Sequence, residues 1–431
     1  MNYQEAISFL FSSLPMYQRV GGAAYKSNLD NTLALDEYFG HPHRKFRSIH
    51  VAGTNGKGSV SHMLAAVFQS AGFKTGLYTS PHISDFRERI RVNGQMIPEG
   101  RVTDFVNGHR NIIEKIKPSF FELTVAMAFN HFASERTDIA IVEVGMGGRL
   151  DSTNIIHPEL SVVTNIGFDH SQFLGDTLYK IAREKAGIIK AGVPVVVGKQ
   201  CPDVAEVILS VADRHDAAVR LAGRDFTWQG DHESLAVTVG ANHIDGLTCS
   251  LAGTHQLDNF AQAVAAAVEL REQGVVITDA AIYQAGRTVS WPGRLEWWGN
   301  SRQLLLDVSH NLAGITCLAN YLEEQNVSRV NLVTGLSGER DPFEALMPLV
   351  KFAAAIYAVP VPFSRFVPTP QIATWAGRQG LPVSEYATAG EGLAAALKGS
   401  SHKEPVLVCG SLYLVAELRQ KLLMGELSVV H

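Results

Sequence analysis

The sequence predicts an α/β protein. Its first part is a phosphate-loop (P-loop) domain on a mostly parallel sheet with a small antiparallel sheet added; its second is a smaller, open Rossmann-like α/β domain. Three observations predict this. Short apolar segments alternate with amphipathic stretches of helical period along most of the chain. The break Trp291-Pro292-Gly293-Arg294 interrupts that alternation, which then restarts. The length, 431 residues, allows two to four domains at about 100–200 residues each, and two large ones are the simplest division. The expected division is residues 1–293 and 294–431.

In the first domain the expected strands are Ser48–Ala52, Thr75–Thr79, Asp138–Val144, Leu160–Asn165 and Val193–Val197. Each runs into glycine, a polar turn or a helical stretch, as parallel strands with crossover helices require. Between Phe226 and Cys249 the period changes: FTWQG, SLAVTV and HIDGLTCS alternate polar and apolar residues, which marks the added antiparallel sheet. Helices are expected over Asp176–Lys190, His255–Arg271 and Asp279–Val289. After the break, QLLLDV, RVNLVTG, AAAIYAV and EPVLVCG read as strands, with helices from Asn311, near Phe343 and at the end.

Composition narrows the function. Hydrophobic residues make up 46% and charged residues 18%, which excludes a disordered chain. The net charge of -5 argues against a broad basic face, so no nucleic-acid partner is expected. No apolar run approaches the ~18 residues that span a bilayer, and the N-terminus lacks a basic and apolar leader. A cytoplasmic protein without a membrane partner is therefore expected. The four cysteines, Cys201, Cys249, Cys317 and Cys409, form no CxxC pair and read as small hydrophobes.

The sharpest local signal is IHVAGTNGKGSVSHMLAAVFQSAG. An apolar strand enters Gly53-Thr54-Asn55-Gly56-Lys57-Gly58-Ser59-Val60, and a helix follows. Glycines let backbone N–H groups converge on phosphate oxygens, and the helix N-terminus adds a favourable dipole. Lys57 would reach the terminal phosphates and Ser59 a magnesium ion. The loop departs from the usual Gly-Lys-Ser/Thr ending, because Gly58 separates Lys57 from Ser59.

Three further segments carry metal-site chemistry. Glu143 ends the strand DIAIVEV, directly before Gly145-Met146-Gly147-Gly148-Arg149. Ligands of open α/β sheets collect at strand C-termini, so a carboxylate there suits magnesium. ELSVVTNIGFDH brings Asp169 and His170 to the same edge. Lys185 falls on the apolar stripe of its helix, four residues after Ile181. A buried ammonium needs a partner or a changed charge state, so Lys185 is either ion-paired, extended to solvent or chemically altered. In the second half of the chain Asn259 reads as an adenine contact or a core amide. Arg294 reads as a phosphate contact across the hinge. Asp307 and His310, in LLLDVSHN, sit at a strand end, where an acid either holds a ribose hydroxyl or caps the next helix.

Taken in order, GTNGKGS, TSPH, VEVGMGGRLDSTN, the Asp-His pair before REKAGI, the PGR hinge, DVSHN and VLVCGSLYLVAEL span essentially the whole chain. On these motifs the sequence resembles the folylpolyglutamate synthase/dihydrofolate synthase family, within the Mur-ligase superfamily. The resemblance implies an ATP-dependent ligase that joins L-glutamate to dihydropteroate or to a reduced folate by way of an acyl phosphate. It implies ATP on Gly53–Val60, completed by Asn259, Arg294 and Asp307. Two magnesium ions are implied, one on Ser80 and Glu143, the other on His170 and a carbamylated Lys185, with Glu143 near both. His310 and Ser411 match positions linked to the incoming glutamate. Leu29, Asp30 and Asn31 match the pteroate-binding loop, with Phe121 and Asp151 near it. The family's habit implies a monomer. Alternatives are a ligase with only one of the two activities, a non-folate Mur-type amide ligase, or a nucleotide-binding regulator.

Overall fold

The structure, a computed structural model, describes residues 1–16, 28–169, 171–299, 302–337, 342–362, 366–400 and 404–429. It divides into two compact units: Met1–Ser250 with Gln256–Ser290, and Leu251–His255 with Trp291–His431.

The first unit is built on eight strands: β1 Arg47–Ala52, β2 Thr75–Tyr78, β3 Ile90–Val92, β4 Gln95–Met96, β5 Ile139–Glu143, β6 Leu160–Val163, β7 Val195–Val197 and β8 Val219–Leu221. Their order is β4-β3-β2-β5-β1-β6-β7-β8. From β2 to β8 every pairing is parallel, and at one edge β3 runs antiparallel to both β2 and β4. The central strands β1 and β5 are almost wholly buried, because helices cover both faces of the sheet. Val51 pairs with Glu143 on one side and Val162 on the other. The chain segments that leave β2, β5, β1 and β6 therefore emerge side by side, and these carry Ser80, Glu143, the glycine loop and Asp169.

Most strands lie one or two residues inside their expected bounds. Pro194, which has no N–H to give, precedes β7. The helix expected over Asp176–Lys190 spans Leu178–Ala186: Thr177 caps it through its side chain, accepting from Lys180 N at 3.3 Å, and Gly187 ends it. The helices Lys57–Ser70 and His255–Glu272 are buried over most of their surface. The second is alanine-rich, so small side chains let neighbours approach from several sides. The small antiparallel sheet is β9 Phe226–Gly230, β10 Leu235–Val239 and β11 Asn242–Leu247, with Leu235, Val237 and Val239 turned inward.

Among the described residues the second unit holds six strands, β12 Glu296–Trp298, β13 Leu304–Leu306, β14 Val330–Thr334, β15 Ala353–Ala358, β16 Val383–Glu385 and β17 Val406–Cys409, ordered β12-β13-β17-β14-β15-β16. Only β12 is antiparallel to its neighbour. The expected four strands are the inner ones; the two edge strands are three residues each, too short for periodicity to reveal. Helices Thr369–Arg378 and Ala389–Lys398 are also additional to the sequence reading. The cysteines are all free thiols, with Cys249 and Cys409 buried and Cys201 exposed. Among the described residues no helix is long and apolar enough to cross a membrane.

Candidate active site

The loop after β1 is tied to the segment after β6. Thr54 N donates to Asn165 O at 2.6 Å, Thr164 Oγ1 donates to Asn55 O at 2.7 Å, and Thr54 Oγ1 donates to Gly167 O at 3.1 Å. Gly53 has φ +151°, and a Cβ there would lie 1.8 Å from Thr164 Oγ1. Gly56, at φ +89°, precedes the helix, and a Cβ on it would meet Asn259 Oδ1 at 2.6 Å. Glycine is thus required at both positions by backbone shape and by close approach. Asn259 is held by Gln256, whose Oε1 accepts from its Nδ2 at 2.9 Å. The N–H groups of Lys57, Gly58 and Ser59 precede the first helical bond, Val60 N to Gly56 O at 2.9 Å, and form an anion-binding terminus. Lys57 Nζ folds back on its own loop, donating to Gly53 O at 2.9 Å and Thr54 O at 3.0 Å.

Glu143 ends β5 beside this loop, 4% exposed, and its Oε2 accepts from Ser80 N at 3.1 Å. Lys185, 3% exposed, donates from Nζ to Gly53 O at 2.7 Å. Burial, reinforced by the Lys57 ammonium, lowers its pKa to about 7, against the opposing pull of Asp169 and Asp151. Among the described residues no three His, Cys, Asp or Glu side chains cluster as metal ligands. The donors at hand are hard oxygens, the Glu143 carboxylate with the Ser59 and Ser80 hydroxyls. That set fits magnesium, which takes one or two carboxylates and fills its shell with water and substrate phosphate. His170 lies outside the described residues.

The glycines after Glu143 set the distance to the Lys185 helix. A Cβ on Gly148 would lie 2.8 Å from Glu184 O and 2.9 Å from Lys185 O, and one on Gly187 would lie 2.4 Å from Arg149 Cβ. Arg149 also pairs with Glu184 at 2.9 Å. Asp151 is buried and its carboxylate braces this loop: it accepts from Met146 N at 2.9 Å and from Thr153 N at 3.0 Å. Burial pushes its pKa up, with those hydrogen bonds acting against the shift.

Leu29, Asp30 and Asn31 open the helix Asp30–Tyr38. Asn31 Nδ2 donates to Glu122 Oε2 at 3.2 Å, which brings this segment to the start of the helix Phe120–Ser134. Phe121 there rests against Gly145, whose Cβ would fall 2.4 Å from the ring. In the second unit, Asp307 ties the hinge segment to the turn after β13. Its carboxylate accepts from Leu295 N and from Ser309 N, both at 2.9 Å, beside the half-buried Arg294. His310 Nδ1 donates to Val308 O at 3.0 Å, which leaves Nε2 for other partners. Ser411, 1% exposed, caps the helix Leu412–Leu423 through its hydroxyl.

The structure thus brings together, within the first unit, the glycine loop, Lys57, Ser80, Glu143, Asn259 and Lys185. It gathers Arg294, Asp307, His310 and Ser411 in the second unit. Thr164, Gln256 and Glu122 support the site and were not singled out in the sequence. A threonine at a strand end and a glutamine three residues before Asn259 were the available signals.

A glycine loop between strand and helix, faced by a strand-end glutamate and a buried lysine, belongs to a phosphate-loop ligase, and residues 51–267 match the Mur ligase middle domain. The folylpolyglutamate synthase of Lacticaseibacillus casei is 31% identical, over 99% of this chain and 100% of its own. The dihydrofolate synthase/folylpolyglutamate synthase of Bacillus subtilis is 33% identical, over 97% of this chain and 99% of its own. Among solved structures, Escherichia coli FolC in complex with DHPP and ADP superposes with a TM-score of 0.89 at 26% identity, covering 99% of each chain. The chain belongs to the folylpolyglutamate synthase/dihydrofolate synthase family.

Proposed function

We infer that this protein is an ATP-dependent ligase that joins L-glutamate to a folate-type carboxylate. The observation that carries this reading is the placement of Lys57 and Glu143 at adjacent strand ends, in a chain that aligns end to end with folate–glutamate ligases.

A carboxylate is a poor electrophile, so the chemistry needs a leaving group. The folate carboxylate attacks the γ-phosphorus of ATP, giving an acyl phosphate and ADP. The glutamate amine then attacks the acyl carbon, an amide bond forms, and phosphate departs with a proton lost from nitrogen. The first-turn N–H groups and Lys57 hold the phosphates, where positioning and charge stabilisation carry most of the catalysis. Asn259 borders the loop and takes the adenine side. Glu143, with Ser59 and Ser80, would hold magnesium, which would supply positive charge beside the transferring phosphoryl group. His170 and a carbamylated Lys185 would hold a second ion. Carbon dioxide adds to the unprotonated Lys185 amine, forming an N–C bond with loss of one proton, and so turns a buried cation into an oxygen ligand. Phe121 and the Leu29-Asp30-Asn31 segment receive the pterin, with Asp151 bracing the loop beneath it. His310 and Ser411 receive the glutamate.

The protein carries both activities, dihydropteroate to dihydrofolate and the extension of tetrahydrofolate by further glutamates. Relatives of nearly equal identity bear both names or only the second, so each activity is assayed separately. Purified protein with ATP, magnesium and L-glutamate is to be given dihydropteroate, then tetrahydrofolate, and ADP and amide product measured. Product from both supports the reading; product from one reduces it to a single activity; ADP-coupled product from neither overturns it.

A further inference from the structure

We propose that a cleft at the far end of the helix Phe120–Ser134 binds a small zwitterion of the α-amino acid class. The cleft's residues on this helix, Met127 to Ser134, lie roughly 9–20 Å along its axis from Phe121, at 1.5 Å per residue. It encloses about 150 Å³ between that helix and Glu99–Gly108.

Its polar groups are incompletely used. His131 is 6% exposed, lines the cleft, and has no hydrogen-bond partner for its ring among the described residues. Its ring nitrogens remain open to the cleft and are available to a bound molecule. Arg101 donates to Ser134 Oγ at 3.0 Å and makes no ion pair among the described residues. Asp104, one turn further along the same helix, lines the cleft with no hydrogen bond or ion pair among those residues. Asn130 adds an amide on the facing helix.

The charges select the ligand class. Lys74 and Glu135, the other charged groups acting on His131, are paired with each other at 2.9 Å. Burial keeps the His131 ring below its ordinary pKa and hence neutral at pH 7. The cleft therefore presents one guanidinium and one carboxylate. A bare anion on Arg101 would meet Asp104, and a bare cation on Asp104 would meet Arg101. A molecule with a carboxylate and an ammonium separated by one carbon satisfies both, with His131 and Asn130 bonding the carboxylate. The buried Phe105 and Met127 beneath suit an aliphatic side chain.

Calorimetric titration of the full chain with L-leucine, 4-methylpentanoate, 3-methylbutylamine and inorganic phosphate tests this. Saturable L-leucine binding, tighter than that of any of the other three, is expected. Arg101→Ala should weaken it by about tenfold or more, since it removes the group that pairs with the carboxylate. Asp104→Asn should weaken L-leucine and strengthen 4-methylpentanoate. Both side chains are exposed on a helix surface, so both variants should fold. No L-leucine binding at millimolar concentrations, tighter binding of phosphate or of a single-charge analogue, or L-leucine binding unchanged in both variants would each overturn the proposal.

Discussion

Lys57 and Lys185 donate to one and the same acceptor, the carbonyl oxygen of Gly53, at 2.9 and 2.7 Å. Two ammonium groups on a single oxygen repel each other, and this repulsion is one reason the Lys185 pKa falls to about 7. Phosphate on the loop would draw Lys57 away, and carbamylation would remove the second positive charge altogether. The two lysines are therefore coupled through Gly53.

Lys185→Ala should reduce ligase kcat by about a hundredfold or more, in the range for losing one electrostatic stabiliser. Short carboxylates or bicarbonate should restore part of the rate. Independently of activity, protein equilibrated with carbon-13 bicarbonate should show a carbamate carbonyl resonance that disappears in Lys185→Ala. Full activity in the variant would leave Lys185 as a structural lysine only.

Glu143→Gln keeps the size of the side chain and its ability to accept from Ser80 N. The magnesium concentration for half-maximal activity should rise about tenfold or more, equivalent to ~1.4 kcal/mol. A magnesium titration at saturating ATP measures it, and an unchanged midpoint removes Glu143 from the metal site.

Gly53→Ala should cost ~3 kcal/mol of stability, since it adds overpacking to an unfavourable backbone angle. Truncating Thr164 to alanine in the same chain should recover only part, because the angle of +151° remains. Urea unfolding of the single and double variants separates the two contributions.

Phe121→Ala should raise KM for the pterin substrate by about tenfold, the cost of losing part of an aromatic contact, and leave KM for ATP unchanged. Equal changes in both constants would place Phe121 in a general structural role.

His50, fully buried on β1, bonds Thr153 Oγ1 through Nε2 at 2.9 Å, and burial lowers its pKa to about 3 from an ordinary 6.5. Between those two values the unfolded chain binds the extra proton. His50 therefore favours folding above about pH 6.5, and that contribution is lost as pH falls toward 3. His50→Gln should flatten acid destabilisation by up to ~1.4 kcal/mol per pH unit over that window. Urea midpoints at pH 7, 6, 5 and 4, about evenly spaced, would show it, and parallel curves for the two proteins would refute it.

The strands β1, β5 and β6 and the glycine loop were legible because parallel strands buried on both faces are apolar runs, and glycine is required where the chain turns tightly. Lys185 was legible as an anomaly, a cation on an apolar stripe. The stitching between Thr164 and Asn55 was not, since 109 residues separate them and a threonine carries no mark of its partner. Asp307 could be read as a ribose ligand or a capping group. Its carboxylate is in fact engaged by two backbone N–H groups from segments that sequence spacing cannot align. The edge strands of the second sheet escaped for lack of length alone.

The reciprocal approach of Gly148 to the backbone of Glu184 and Lys185, and of Gly187 to Arg149, makes loop and helix a single mechanical part. The separation between Glu143 and Lys185 is set by main chain against main chain, so exchanging side chains elsewhere leaves it alone. For enzyme engineering this divides the molecule usefully. The proposed pterin contacts, Phe121 and Asn31, can be redesigned for a different acceptor without retuning the proposed metal site, provided the two glycines stay.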